Sequence, residues 1–376
     1  MKKYFLIALG LSGLLLAGCN KNTGREDVFP SYTYSYDNKQ SANCYVVTPN
    51  GTLTFAAVEG NTTTAISGAY EAAVLWETNN TVRTAKRGDI IKSASYSDGV
   101  MTVKVGPKEG NAVVAVEDSD GRILWSWHIW VTRYSLDDKL VSIGTSFQMM
   151  DRNLGALTAD ADDPLACGLI YYAARKDPFP GLARFQTGDG ADCETMSVCG
   201  NMASEGVLSA DLPGDLDKYM TANPTQFVFY GGLDGEGKRV CTSAEYARLG
   251  YKWYGSTKVK SDPCPFGYRV MHANQFNTIA TSKAEYFHET YLDCREKYAG
   301  LWFPYAGYSN QKGILLCRQS GTDTNLYYSG FQMYNSSTNS LNLAWIRYNI
   351  DGTGKFYTNS DASCTFRGAS VRCVKM

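Results

Sequence analysis

Six short segments between residues 44 and 135 follow one another at nearly even intervals, and this spacing limits the fold more than any other feature of the chain. They read "CYVVT", "TLTFAAV", "AAVLWET", "GVMTVKV", "NAVVAVED" and "ILWSWHIWVT", rich in Val, Trp and Thr. Turn chemistry separates them, with "PNG" at 49–51, "SDG" at 97–99 and "SDGR" at 119–122. No long helical pattern of apolar residues interrupts the series. The expectation is an immunoglobulin-like β-sandwich over 44–138. Composition points the same way: 26 Tyr and 13% aromatic residues against only 19% charged suit an extracellular β protein. With 36 Lys+Arg against 37 Asp+Glu and no long basic run, nucleic acid is not an expected partner.

The first residues bear on address. Lys2 and Lys3 precede an apolar stretch from Tyr4 to Leu16, too short to span a bilayer. It closes on "LLLAGC", residues 14–19, which resembles the lipobox of bacterial lipoproteins. The resemblance implies a signal peptide over 1–19, cleaved before Cys19, with lipid on that residue. Several acyl chains at about 0.8 kcal/mol per buried methylene hold a protein firmly in a membrane. The expected location is the outer membrane, lipid-anchored at the cell surface, with residues 20–43 as a polar tether.

Setting Cys19 aside leaves ten of the 11 cysteines. Export permits disulfides, and ten cysteines allow roughly 900 pairings. Cys193 and Cys199 are close enough to pair locally. With no CxxC, no HxxxH and only three His, a structural metal is not expected.

Two motifs invite functional claims. In "LWSWHIW", 124–130, strand alternation puts Trp125, Trp127 and Ile129 on one face and Ser126, His128 and Trp130 on the other. Exposed Trp125 and Trp127 would stack on sugars, but the expectation is core, with His128 structural. "KRGD", 86–89, contains the integrin tripeptide but leads straight into "DIIKSASYS". A second domain is expected over 145–376. "SFQMMDRNLGAL" reads as a strand and turn, "TSAEYARLG" (242–250) as a short helix capped by Gly250, and "SDPCPFGYRVM" as a turn entering a strand. "HANQFNTIATSKAEYF", 272–287, has helical spacing through Phe276, Ile279 and Ala280.

"MDRNLGAL", "YYAARKDPF", "DPCPFGYRV" and the closing "SVRCVKM" together resemble the Fibrobacter succinogenes major paralogous domain over 145–376. That family implies a C-type-lectin-like α+β fold in surface lipoproteins of the Bacteroidetes, some of them candidate pilus-tip subunits. Residues 44–138 resemble the sandwich module of fimbrillin-type proteins. The expected fold class is therefore mainly β with minor α. The resemblance also motivates a disulfide between Cys264 and Cys373, closing a loop worth about 4–5 kcal/mol by chain entropy. The family's helix-capping Thr and Glu are replaced here by His272 and Gln275, the Gln retaining the capping-box function.

Sought and not found are GxSxG, HExxH, P-loop and Rossmann fingerprints, together with the calcium-ligand motifs of animal lectins. No cofactor and no catalytic residue is expected. "SGTDTNLYYSGFQMYNSSTNSL", 320–341, has one charged residue and the Tyr, Ser and Asn composition of binding loops. Tyr327, Tyr328, Tyr334 and Asn335 are the expected ligand-binding residues. The expected function is a surface adhesin or pilus-tip component binding a glycan or a host or bacterial surface protein, with other pilus subunits as partners and Arg25 as a processing site. The alternatives are a glycan-binding lipoprotein for polysaccharide uptake and a formylglycine-generating-type enzyme with a reactive thiol.

Overall fold

The computed structural model describes residues 30–172, 175–185, 194–203, 206–212, 214–229, 232–233, 239–240, 253, 258–280, 286–288, 291–309, 315–316, 318–319, 326–335, 340–349, 354–359 and 368–376. Cys19, Arg25, Cys193 and the 242–250 segment lie outside them.

The chain is mainly β, built from several sheets. Its N-terminal part has strands β1 (Thr33–Tyr36), β2 (Cys44–Val47), β3 (Thr52–Ala56), β4 (Glu71–Thr78), β5 (Ile91–Ser97), β6 (Val100–Val105), β7 (Gly110–Glu117) and β8 (Ile123–Val131). All six segments expected from the spacing are strands. β5 is the strand-like stretch expected directly after KRGD, and β1 is additional. β1 lies in the stretch expected to be tether, because "TYSY" alternates and Tyr34 and Tyr36 pack on the core. One sheet runs β1-β3-β6-β5, and a second runs β4-β7-β8-β2. Both contribute to one apolar core: Leu53 and Phe55 from the first meet Val114, Val116, Trp125 and Trp127 from the second.

The second sheet is covered on its other face as well. β7 is buried along nearly its whole length, both parities included. Its Ala112, Val114 and Val116 enter the N-terminal core, while Val113 enters a different cluster shared with Met150, Leu154, Tyr171, Val371 and Cys373 of the C-terminal part. A strand with both faces covered reads as a continuous run of apolar residues, which "NAVVAV" is. The chain also adds Cys199–Gly200 as a short strand along the β4 edge, pairing Cys199 with Glu77. An otherwise open sheet edge is thereby closed.

The C-terminal part is organised around its last strand, Cys373–Lys375. That strand lies between Tyr268–Val270 and β10 (Phe147–Met150), and β10 pairs in turn with β9 (Leu140–Ile143). The helix expected over 272–287 is shorter, Ala273–Ala280, and Tyr286–Phe287 is a strand. Gln275 Oε1 accepts from the His272 backbone N–H at 3.0 Å, the capping half expected of it. Phe276 and Ile279 are buried. A second helix, Leu216–Ala222, starts at Asp215, whose side chain accepts from Asp217 N–H.

Candidate functional site

Cys373 forms a disulfide with Cys264, across a sequence separation of 109. Both sulfurs are fully buried. Beside them Arg372, 1% exposed, spends its guanidinium on the chain's other motifs. Nε donates to Asn153 Oδ1 at 2.9 Å, and the two terminal nitrogens donate to Asp151 O and Trp302 O, each at 3.2 Å. Burial lowers the Arg372 pKa to about 10, still well above neutrality. Asn153 in turn donates to Cys167 O at 3.0 Å. Asp262 holds the disulfide turn from below, its two carboxylate oxygens accepting from Cys264 N–H and Val270 N–H at 2.8 and 2.9 Å.

A second concentration of polar groups lies between the two parts of the chain. β8 presents Ser126, His128 and Trp130 toward the C-terminal part, and all three are buried. Trp130 Nε1 donates to Ala156 O at 3.1 Å. Asn111 Nδ2 donates to Asn80 Oδ1 and Gly155 O, both at 2.8 Å, so Asn111 Oδ1 is left as an acceptor. His128 Nε2 stands 2.8 Å from that oxygen and must carry the proton. Its Nδ1 is then the acceptor for Tyr171 OH, 3.1 Å away. The hydrogen-bond pattern therefore fixes a neutral imidazole, and desolvation, which lowers the His128 pKa to about 3, keeps it neutral. Gly155 sits at φ +82°, a conformation glycine adopts without strain, and a Cβ there would meet Leu169 Cγ at 2.7 Å.

Next to this chain, Lys176 and Asp177 form a buried ion pair at 2.6 Å. Ser126 Oγ donates to Asp177 Oδ1 at 2.7 Å, and Lys176 Nζ donates to Ser126 O at 2.9 Å. The same ammonium lies 4.7 Å from the Trp125 ring. Burial pushes the Lys176 pKa down, and Asp177 opposes that shift. At the near end, Asn43 Nδ2 donates to Lys260 O and Asp262 O at 2.7 and 2.9 Å, and Asn61 Nδ2 donates to Val259 O at 2.8 Å. Chemically the seam contains the parts of a proton relay. His128, Tyr171, Ser126, Lys176 and Asp177 are each engaged with a neighbour and buried, so the arrangement joins the two halves. Its residues belong to the motifs quoted above: Gly155 to "DRNLG", Tyr171, Lys176 and Asp177 to "YYAARKDPF", Asp262 to "DPCPFGYRV".

The structure sorts the remaining candidates. Trp125 and Trp127 are 2% and 1% exposed and belong to the core, so no sugar stacks on them. The KRGD turn is held from inside by Glu77, whose carboxylate accepts from Gly88 and Ile91 N–H, both at 2.9 Å. Asp89 is engaged by Lys108 at 2.8 Å, and that hydrogen bond holds its carboxyl below the usual carboxylate range. Cys199 carries a free thiol, so the local bridge expected for it is not formed; its backbone is drawn to the β4 edge instead. Cys44 and Cys167 carry buried free thiols, and Cys294 is buried. Tyr327, Tyr328, Tyr334 and Asn335 lie on one ten-residue strand, Leu326–Asn335. That strand pairs antiparallel with Ser340–Asn349, placing Tyr328 opposite Arg347 and Tyr334 opposite Leu341. Tyr328 and Tyr334 occupy positions of the same strand parity, Tyr327 and Asn335 the other. Among the described residues no group of three His, Cys, Asp or Glu could hold a metal ion.

Fold and polar seam together define a mainly β protein of two joined parts, closed at its C-terminus by a buried disulfide. Comparison with known proteins found no matching family model, no matching curated protein and no matching solved structure.

Proposed function

We propose that the chain is a lipid-anchored binding protein of the cell surface, an adhesin or pilus-tip component, with an immunoglobulin-like sandwich over 44–138 and a C-type-lectin-like domain of the major paralogous type over 145–376. The observation that carries the reading is the seam. A buried, hydrogen-bonded joint between the two parts holds them together, as a protein needs if it meets its ligand on one part and its anchor on the other. His128, Lys176 and Asp177, buried at that joint, are engaged with neighbours there and not with a ligand. Burial also pushes the Cys44 and Cys167 thiols up in pKa, the opposite of an activated nucleophile. The lipobox ending at Cys19 supplies the anchor, and the Tyr-rich strand Leu326–Asn335 is the proposed contact element.

The test has two arms. Mass spectrometry of protein from cells should find a mature chain starting at lipidated Cys19; an unmodified Cys19 removes the anchor. Tyr328→Ala and Tyr334→Ala should each weaken adherence to host cells or bacterial partners about ten-fold, equivalent to about 1.4 kcal/mol, with melting unchanged. Loss of several degrees of melting temperature in both variants would make these tyrosines core residues and end the assignment.

A further inference from the structure

At the end of β1 the N-terminal sheet opens into a groove of about 430 Å³, within the range of small-ligand clefts. β1 stops at Tyr36, paired with Phe55 of β3, and the chain turns away through a short 3-10 turn at Asn38–Gln40. β3 continues one residue past that pairing, to Ala56 opposite Val100. The space left open along its flank is closed on the far side by the loop carrying Val58, Thr63 and Ala65.

The walls divide by chemistry. Phe55 and Val58 form an apolar floor and are buried, while Val100 stands at the rim, 41% exposed, an unusual place for a valine. Tyr36 is half-buried, its ring braced by Tyr45 with centroids 5.1 Å apart. Around this apolar patch stand Ser35, Asp37, Asn38 and Thr63, all exposed. Asp37 is held in place by the turn that it caps: Oδ1 accepts from Lys39 and Gln40 N–H at 2.8 and 3.1 Å. Its other oxygen has no partner among the described residues, nor do the side chains of Ser35, Asn38 and Thr63.

Two further facts narrow the ligand. No Lys or Arg lines the groove and one carboxylate does, so an anionic ligand is disfavoured. The backbone past Phe55 is also committed, with Val58 N–H donating to Ala56 O at 2.9 Å and Ala57 N–H to Gly99 O at 2.8 Å. An added peptide strand would find little ladder to join. What the groove offers is an apolar and aromatic surface ringed by a fixed carboxylate, an amide and hydroxyls. That complements a molecule with one C–H face and many hydroxyl groups.

We infer that this groove is a subsite for a neutral saccharide. The sugar's apolar face rests on Tyr36 and Val100, and its hydroxyls donate to Asp37 and exchange hydrogen bonds with Asn38, Ser35 and Thr63. The site is separate from the Tyr-rich strand proposed above, so either assignment can fail without the other.

Saturation-transfer NMR tests it on the full chain in a sugar-free detergent, using the methyl glycosides of glucose, galactose, mannose and N-acetylglucosamine, with glucuronic acid as the anionic comparison. At least one neutral glycoside should receive saturation, and glucuronic acid should bind at least ten-fold more weakly. Ser35→Trp fills the groove from an exposed strand position that favours aromatics, and should abolish the signal with melting unchanged. Asp37→Asn keeps an equally good turn cap and should weaken binding several-fold. No transfer from any neutral glycoside, transfer that survives Ser35→Trp, or binding of extended peptides in place of all the glycosides would each overturn the assignment.

Discussion

Replacing Arg372 tests how the end of the chain is held. Arg372→Met keeps most of the stem and removes the fork. It leaves Asn153 Oδ1, Asp151 O and Trp302 O without the donors they now have at 2.9, 3.2 and 3.2 Å. Hydrogen bonds to a charged group contribute about 1.5–3 kcal/mol each, so the three together amount to about 4.5–9 kcal/mol. Against this stands the relief of no longer burying a cation. The fall of the Arg372 pKa from 12.5 to about 10 corresponds to about 3 kcal/mol. Lost pairing wins, and the net expected cost is about 1.5–6 kcal/mol. Arg372→Lys is the sharper variant. It keeps the buried charge and cannot reach three divergent acceptors at once, so it should be no better than Met. Guanidinium unfolding followed by tryptophan fluorescence measures both. A lysine variant within about 0.5 kcal/mol of the parent would refute the reasoning, because a point charge would then suffice.

Other outcomes follow from the same interior. Replacing Cys264 and Cys373 together by Ala should cost about 5 kcal/mol, the chain-entropy value for a separation of 109, read as a fall in the denaturant midpoint; an unchanged midpoint would show that the last strand is held without the bridge. His128 has a folded pKa lowered to about 3 against about 6.5 unfolded, so the unfolded chain takes up a proton first as pH falls. Its contribution is complete above about pH 6.5 and is lost at about 1.4 kcal/mol per pH unit down to about pH 3, and His128→Gln, which offers a donor and an acceptor without titrating, should lack that slope; parallel pH curves for the two proteins would count against it. Because the seam joins the two parts, calorimetry should show one unfolding transition, and Lys176→Met, which leaves Asp177 a buried charge without its ammonium, should split or broaden it.

The sequence made the N-terminal strands legible because turn residues punctuate them and alternation marks their faces. In "LWSWHIWV" it correctly separated Trp125 and Trp127 from Ser126 and His128. It did not reveal that the second face is covered too, because a period of two sorts residues between faces and says nothing of what lies beyond. The signal was present in "NAVVAV", apolar at both parities. Helix 216–222 escaped because seven residues are too few for a period to register. Composition alone did not separate loop from strand at Tyr327 to Asn335, because Tyr, Ser and Asn serve both, although the residue alternation assumed for Tyr327, Tyr328 and Tyr334 was that of an extended segment. The disulfide pairing came from family resemblance, since cysteine counts fix no connectivity.

The first strand pairs with β3 in parallel, and β2 pairs with β8 in parallel as well. Direction of pairing decides how a sheet responds to tension. In a hairpin pulled apart from its two ends the hydrogen bonds open one after another. When β1 is drawn from its N-terminal end while the rest of the body resists through the C-terminal end of β3, the two strands slide past each other. All the bonds between them then bear the pull together, and none opens until the whole register slips. β2 repeats the arrangement against β8, whose outer face is the joint to the C-terminal half. Pulled from the N-terminal end of β1, the body would thus be loaded in shear across the first pairing, and its first strand would not peel away bond by bond.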